Sequence, residues 1–187
     1  EDEAKSGSNS AISVEKPVTI DPYLSQTSNV PATAERQFQE ALISFQAGDW
    51  TVAERQFKQL SETYPSLSGP WLNLGILARR DQREETARRY FKQATKANAR
   101  NLAAYNYLAI SYREAGEFEE AEQWYLQALN VWPDHADSHR NIGILYELYM
   151  GRLAAALPHY QRAYELAPDR QLKGWLADTR RRLDAGK

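Results

Sequence analysis

The sequence predicts an all-α solenoid: four stacked helix pairs and a C-terminal capping helix, preceded by an irregular leader. Three observations predict it. From Ala34 onward the chain repeats itself every 34 residues. Small residues and large aromatics recur in step with that period. Glycine and proline punctuate three of the four repeats at fixed places.

Residues 1–33 read as the leader. Ser6, Ser8, Ser10, Ser13, Ser25 and Ser28 dominate it, Pro17, Pro22 and Pro31 break it, and no helical period survives. It serves either as a spacer from an anchor or as a segment that docks on a groove of its own or a neighbouring chain. The sequence begins at Glu1 rather than Met, which leaves open a trimmed chain or a removed signal peptide.

The folded part, 34–187, divides into repeats 34–67, 68–101, 102–135 and 136–170. The first keeps Ala41, Ala53, Phe57, Leu60 and Pro65 but sets polar Gln37, Glu40 and Ser44 where apolar residues are expected, as an end unit with no outer neighbour requires. Aligning the second with the third sets Trp71 on Tyr105, Leu74 on Leu108, Gly75 on Ala109, Ala87 on Ala121 and Phe91 on Tyr125. The fourth gives Ile142, Gly143, Tyr146, Ala156, Tyr160 and Pro168, with one extra residue between Tyr146 and Gly151. Each unit is a pair of amphipathic helices. The Gly or Ala of the first lets the second approach, and the aromatic four residues after the second helix's alanine fills the space beside it. Gly48, Gly116 and Gly151 mark the intervening turns, where glycine accepts positive φ, and Gln82 stands there once. Residues 171–185 form the cap, with Leu172, Trp175, Leu176, Thr179 and Leu183 on one face.

Composition narrows the chemistry. The chain has 187 residues, 42% hydrophobic and 26% charged, with a net charge of −2. It holds no cysteine, which excludes disulfides, thiolate catalysis and cysteine-based zinc sites. No apolar run is long enough to span a membrane. No Ser/His/Asp set, carboxylate pair or phosphate-cradling loop appears, so neither an enzyme nor a cofactor is expected. His135 and His139, four apart with Asp134 and Asp137 nearby, have a spacing that suits a metal, but His139 stands where an aromatic packs, so a structural role and no metal are expected. His159 is expected at the surface. Trp132 is either a clamp onto the next repeat or an exposed contact for a partner.

Repeat 68–101 has eight basic residues against three acidic, and repeat 102–135 one basic against six acidic. Units of opposite sign can pair across their interface. Three readings stand: solvated faces with scattered ion pairs, a two-signed surface that orients a partner or a second copy, or a basic patch for RNA.

The pattern of a large residue, Leu-Gly or Leu-Ala, Tyr, then Ala-x3-aromatic and Pro over 34 residues resembles the tetratricopeptide repeat, over Ala34–Arg170. That resemblance implies a right-handed superhelix whose concave face is lined by the first helices, with positions 5, 9 and 12 of each unit facing the groove. Position 9 reads Leu42, Ile76, Ile110 and Ile144; position 5 reads Phe38, Leu72, Asn106 and Arg140; position 12 reads Phe45, Arg79, Arg113 and Glu147. An aliphatic floor, an aromatic end and a basic patch of Arg79, Arg113 and Arg140 result. Aliphatic position 9, where chaperone-tail binders of the family use Asn, argues against a chaperone-tail clamp. The expected partner is a protein, a peptide or helix segment with apolar and acidic side chains, although part of the aliphatic line is equally read as packing between adjacent first helices. The implied function is a non-enzymatic adaptor. Alternatives are a structural subunit that self-associates through its leader or charged faces, and an RNA or small-ligand binder; no nucleic-acid partner is expected. A Ser-rich leader and no Cys are similar to small envelope members of the family, which implies a periplasmic or envelope-associated location, with the cytoplasm as alternative.

Overall fold

The computed structural model describes residues 29–186, and among them every regular element is helical. The reading of the leader falls almost wholly outside the described residues. The helices are α1 (Ala32–Ala47), α2 (Trp50–Thr63), α3 (Ser68–Arg80), α4 (Glu84–Ala97), α5 (Leu102–Glu114), α6 (Phe118–Val131), α7 (Ala136–Ile144), α8 (Leu153–Leu166) and α9 (Arg170–Ala185). Each packs on its neighbours in the chain, and α5 also touches α7, so the first helices of the third and fourth units lie side by side. No single centre forms. Instead, apolar clusters run through the array, one around Phe57 and Leu77, one around Phe91 and Leu108, and a larger one from Tyr125 to Leu176.

The pairing within a unit follows from its smallest residue. A Cβ on Gly75 would overlap the Phe91 ring, and one on Gly143 would overlap Tyr160, closer than carbon atoms approach. Phe57, Phe91, Tyr125 and Tyr160 are all fully buried, and so are the alanines that precede them by four residues, Ala53, Ala87, Ala121 and Ala156.

The turns obey one geometry. Gly48, Gly116 and Gly151 have φ of 82°, 81° and 63°. Gln82 adopts 58°, alone among the described non-glycine residues. The bond that closes each helix end spans five residues in the first three units: Asp49 N–H to Ser44 C=O, Arg83 to Ala78 and Glu117 to Tyr112. In the fourth it spans six, from Arg152 N–H to Tyr146 C=O. The extra residue is absorbed by a π-helical turn, Leu145–Tyr149, that prolongs α7.

Asn101 and Asp169 cap α5 and α9, accepting from the backbone N–H of Ala104 and Leu172. Pro70 lies in the first turn of α3, where its missing N–H is tolerated. The cap α9 seals the last unit by burying Leu172, Leu176 and Thr179 and setting Trp175 against Tyr160.

Gly75→Ala and Gly143→Ala should each cost about 1–3 kcal/mol in urea unfolding, because the added methyl has nowhere to go. Gln82→Gly should raise stability by about 1 kcal/mol, by removing a left-handed non-glycine residue.

Candidate functional site

The candidate surface is built by α1, α3, α5 and α7, which present equivalent positions in each unit. Leu42, Ile76, Ile110 and Ile144 are all half-buried. Each packs along one edge against the nearest apolar cluster, and none is fully covered. The line is therefore packed along one edge and open along the other. Phe38, Phe45 and Leu72 are half-buried as well; Phe38 meets Phe57 at 5.6 Å between ring centres, and Phe45 stands edge-on to Trp50 at 5.3 Å.

Two clefts open beside these residues. One of about 460 Å³ lies at the N-terminal ends of α1 and α3, walled by Phe38, Val30, Leu67 and Pro70. The other, about 350 Å³, lies between α3 and α5 and is lined by Ile76, Arg79, Arg80, Glu84, Tyr107 and Glu114. Tyr107, which sequence reasoning passed over, stacks on Phe91 at 5.3 Å.

The polar residues of the face are more occupied than their positions suggest. Asn106 is 7% exposed and its amide is spent within the fold: Nδ2 donates to the Leu102 carbonyl and the Ser138 hydroxyl, and Oδ1 accepts from Asn141. Asn106 thus joins two repeats. Arg79 binds Glu114 through both carboxylate oxygens, at 2.6 and 2.8 Å, and this contact raises the affinity of its guanidinium for its proton. Arg140 pairs with Asp169, and Glu147 with Arg182. The expected basic patch of three arginines is therefore reduced to Arg113. Its guanidinium lies over the Tyr149 ring at 5.3 Å, and among the described residues no carboxylate lies within ion-pair distance of it.

The opposite charges of adjacent repeats do meet across their interface. Of the six acidic residues in 102–135, Glu114 and Glu117 hold Arg79 and Arg88 of the preceding repeat, while Glu122 and Asp134 hold Arg152 and Arg162 of the next. Arg88 is the most enclosed of these cations. It donates to Glu117 at 2.8 Å and to the Ser111 carbonyl at 3.0 Å, with its guanidinium over the Tyr112 ring at 4.1 Å. Most of the pairs are partly exposed and each contributes at most about 1 kcal/mol, so they set how units align more than how stable they are.

The histidines are arranged differently from the spacing argument. His139 pairs not with His135 but with His159 across α7 and α8: Nδ1 to Nδ1 is 3.0 Å, and His139 Nε2 is 2.8 Å from the Pro133 carbonyl. A carbonyl only accepts, so His139 carries its proton on Nε2, leaving its Nδ1 to accept from His159 Nδ1–H. His159 is half-buried against Tyr146 rather than at the surface. Burial and the neighbouring His139 push its pKa from the ordinary 6.5 down to about 4, and burial lowers His139 as well. Tyr146 donates to Glu122 at 2.5 Å, and burial with that carboxylate raises its hydroxyl to about 12. His135 instead contacts Ser138 at 2.7 Å, in the Asn106 network. No group of three metal-ligating side chains is present among the described residues. Trp132 is half-buried and folds back on Leu102 and Tyr105 of its own repeat, with His135 at 5.5 Å.

Sequence reasoning missed the residues of the π-turn, Leu148 and Tyr149, which are 68% and 43% exposed. Their signal was the single extra residue of the fourth repeat.

Residues 100–169 match the tetratricopeptide repeat family. The human protein O-mannosyl-transferase TMTC2 is 32% identical over 99 residues, covering 51% of this chain and 12% of that protein. The human cell division cycle protein 16 homolog is 27% identical over 119 residues, covering 59% of this chain and 19% of that protein. The chain thus spans less than a fifth of either relative, and the transferase name belongs to that larger protein. Among solved structures, PilF of Pseudomonas aeruginosa superposes with a TM-score of 0.71 at 20% identity, over 81% of this chain and 69% of that one. TTC0263, a thermophilic repeat protein of the same kind from Thermus thermophilus, gives 0.64 at 26% identity, over 80% and 82%.

The neutral histidine pair makes stability depend on pH. Both groups bind protons less readily folded than unfolded, so stability is full above about pH 6.5 and declines as pH falls toward 4. Urea midpoints measured from pH 7 to 5 should fall for the parent chain and fall less steeply for His159→Gln.

Proposed function

Taking a chain built of tetratricopeptide repeats as the premise, we propose that it is a non-catalytic protein-interaction adaptor whose first-helix face takes a peptide or helical segment of another protein. Members of this repeat family act in general as scaffolds for protein–protein contact. The single observation that carries the reading here is the aliphatic strip Leu42, Ile76, Ile110 and Ile144, half-exposed in each of the four units and flanked by the cleft between α3 and α5. A segment laid along it buries alternate apolar side chains without any conformational change in a stacked array. The intramolecular pairing of Arg79 and Arg140 lowers the demand for acid in the partner, which becomes mainly apolar with little negative charge.

For compartment, we propose the bacterial envelope; the absence of cysteine supports it, since free thiols are a liability where oxidants act.

The test is selection of short peptides from a random display library against the full chain, followed by calorimetric titration of the enriched sequences. Enriched peptides should carry apolar residues at regular spacing. Ile110→Asp should weaken them at least tenfold, and the milder Ile76→Thr several-fold, with the helical signal by circular dichroism retained. Binding that ignores both substitutions would place the contact elsewhere.

A further inference from the structure

The first-helix face carries a ladder of opposite charges. Each rung joins position 12 of one unit to the residue 35 further along. Arg79 holds Glu114, and Glu147 holds Arg182. The rung between them starts at Arg113 and falls on Leu148, which has no charge and is 68% exposed. Arg113 Nε is buried without a hydrogen-bond partner, and its guanidinium rests against Tyr149, whose ring also meets Phe118 at 5.5 Å.

The neighbouring repeat shows the same corner completed. There burial and the Glu147 carboxylate together push the Tyr160 hydroxyl up, and that carboxylate takes Arg182. Tyr125 is the counterpart of Tyr160 one repeat earlier, and Arg113 the counterpart of Glu147. The Tyr125 hydroxyl is buried and unpartnered, and Arg113 heads the charged groups that act on it. Phe91 fills the equivalent place in the repeat before with no hydroxyl at all, so packing does not require one. Arg113 thus has no opposite charge within ion-pair distance among the described residues, whereas its counterpart Glu147 has Arg182. Burying such donors unpartnered costs free energy that an acceptor would recover.

We propose that this corner receives the acidic side chain of a bound partner: an Asp or Glu within a peptide or helix, whose carboxylate pairs with the Arg113 guanidinium while an adjacent apolar residue packs on Leu148 and Tyr149. The inference rests on the groove reading above and narrows it to one charged subsite. A side-chain carboxylate is specified, rather than a chain terminus, because both filled rungs use side chains from a chain that continues on either side of them. The charge ladder accounts for the number of acids as well: of the three rungs that start on a charged residue, one is unfilled, so one carboxylate is taken.

The experiment uses the full chain and the enriched library peptides. They should contain an Asp or Glu beside an apolar residue, and changing that acid to its amide, or Arg113 to Gln, should weaken binding about tenfold. Leu148→Glu supplies the missing carboxylate from within. It should raise Tm by about 2 °C while abolishing binding, a combination no general damage produces. Peptides that Ile110→Asp releases but Arg113→Gln and Leu148→Glu leave untouched would overturn the subsite and keep the groove. Peptides indifferent to all three substitutions, or no enrichment at all, would remove both. Binding lost on amidating only the peptide's C-terminus would overturn the side-chain assignment, and an unchanged or lower Tm for Leu148→Glu would show that the rung is not waiting for a charge.

Discussion

The helix pair in each unit depends on a space being kept open: beside Gly75 for Phe91 and beside Gly143 for Tyr160, with Ala in the corresponding place before Tyr125. At Gly75 and Gly143 one added methyl would overlap the aromatic ring and force the two helices apart. The shared aromatic then loses its contacts on both, and the next unit loses the platform on which it stacks. The rest of the array inherits this constraint. The turn is short because the helices are close, the positive φ at Gly48, Gly116 and Gly151 follows from the shortness, and the arginines reach carboxylates in the next repeat because the repeats are thin.

Much of the fold can be read from residue spacing alone. The 34-residue period, the glycine turns, the unusual Gln82 and the cap each correspond to one local rule, and each rule acts within one repeat. What escapes such a reading acts between helices, of neighbouring repeats or of one. Asn106 looks available because its position faces the groove, but its partners Ser138 and Asn141 lie 32 and 35 residues on, in the following unit. Arg79 and Arg140 look like a patch because the carboxylates that hold them, Glu114 and Asp169, approach from elsewhere in the array. His159 reads as a surface residue from its neighbour Tyr160, whereas the close packing of α7 and α8 turns it inward to His139. The extra residue of the fourth repeat can be located by alignment, but its effect cannot. That the backbone takes it up as a π-turn, tipping Leu148 and Tyr149 outward, depends on Gly151 holding the turn beyond it.

The same separation sorts the candidate site. Position 9 is legible because an aliphatic residue there needs no partner to define it. Position 12 is legible by residue type only, since whether a charge is spoken for is a property of two repeats together. Reading the ladder at a separation of 35 residues, rather than each unit by itself, distinguishes the occupied cations from Arg113.

The neutralisation of adjacent repeats also bears on how quickly a partner arrives. Repeats of opposite sign lie side by side, joined through Glu114 and Glu117, so their charges offset one another at a distance and the net charge of −2 leaves a weak far field. A partner of the kind proposed is therefore not drawn in from a distance. It finds this surface by unguided diffusion, with an association rate on the order of 10⁵–10⁶ M⁻¹s⁻¹ and little response to ionic strength, and its selectivity resides in how slowly it leaves.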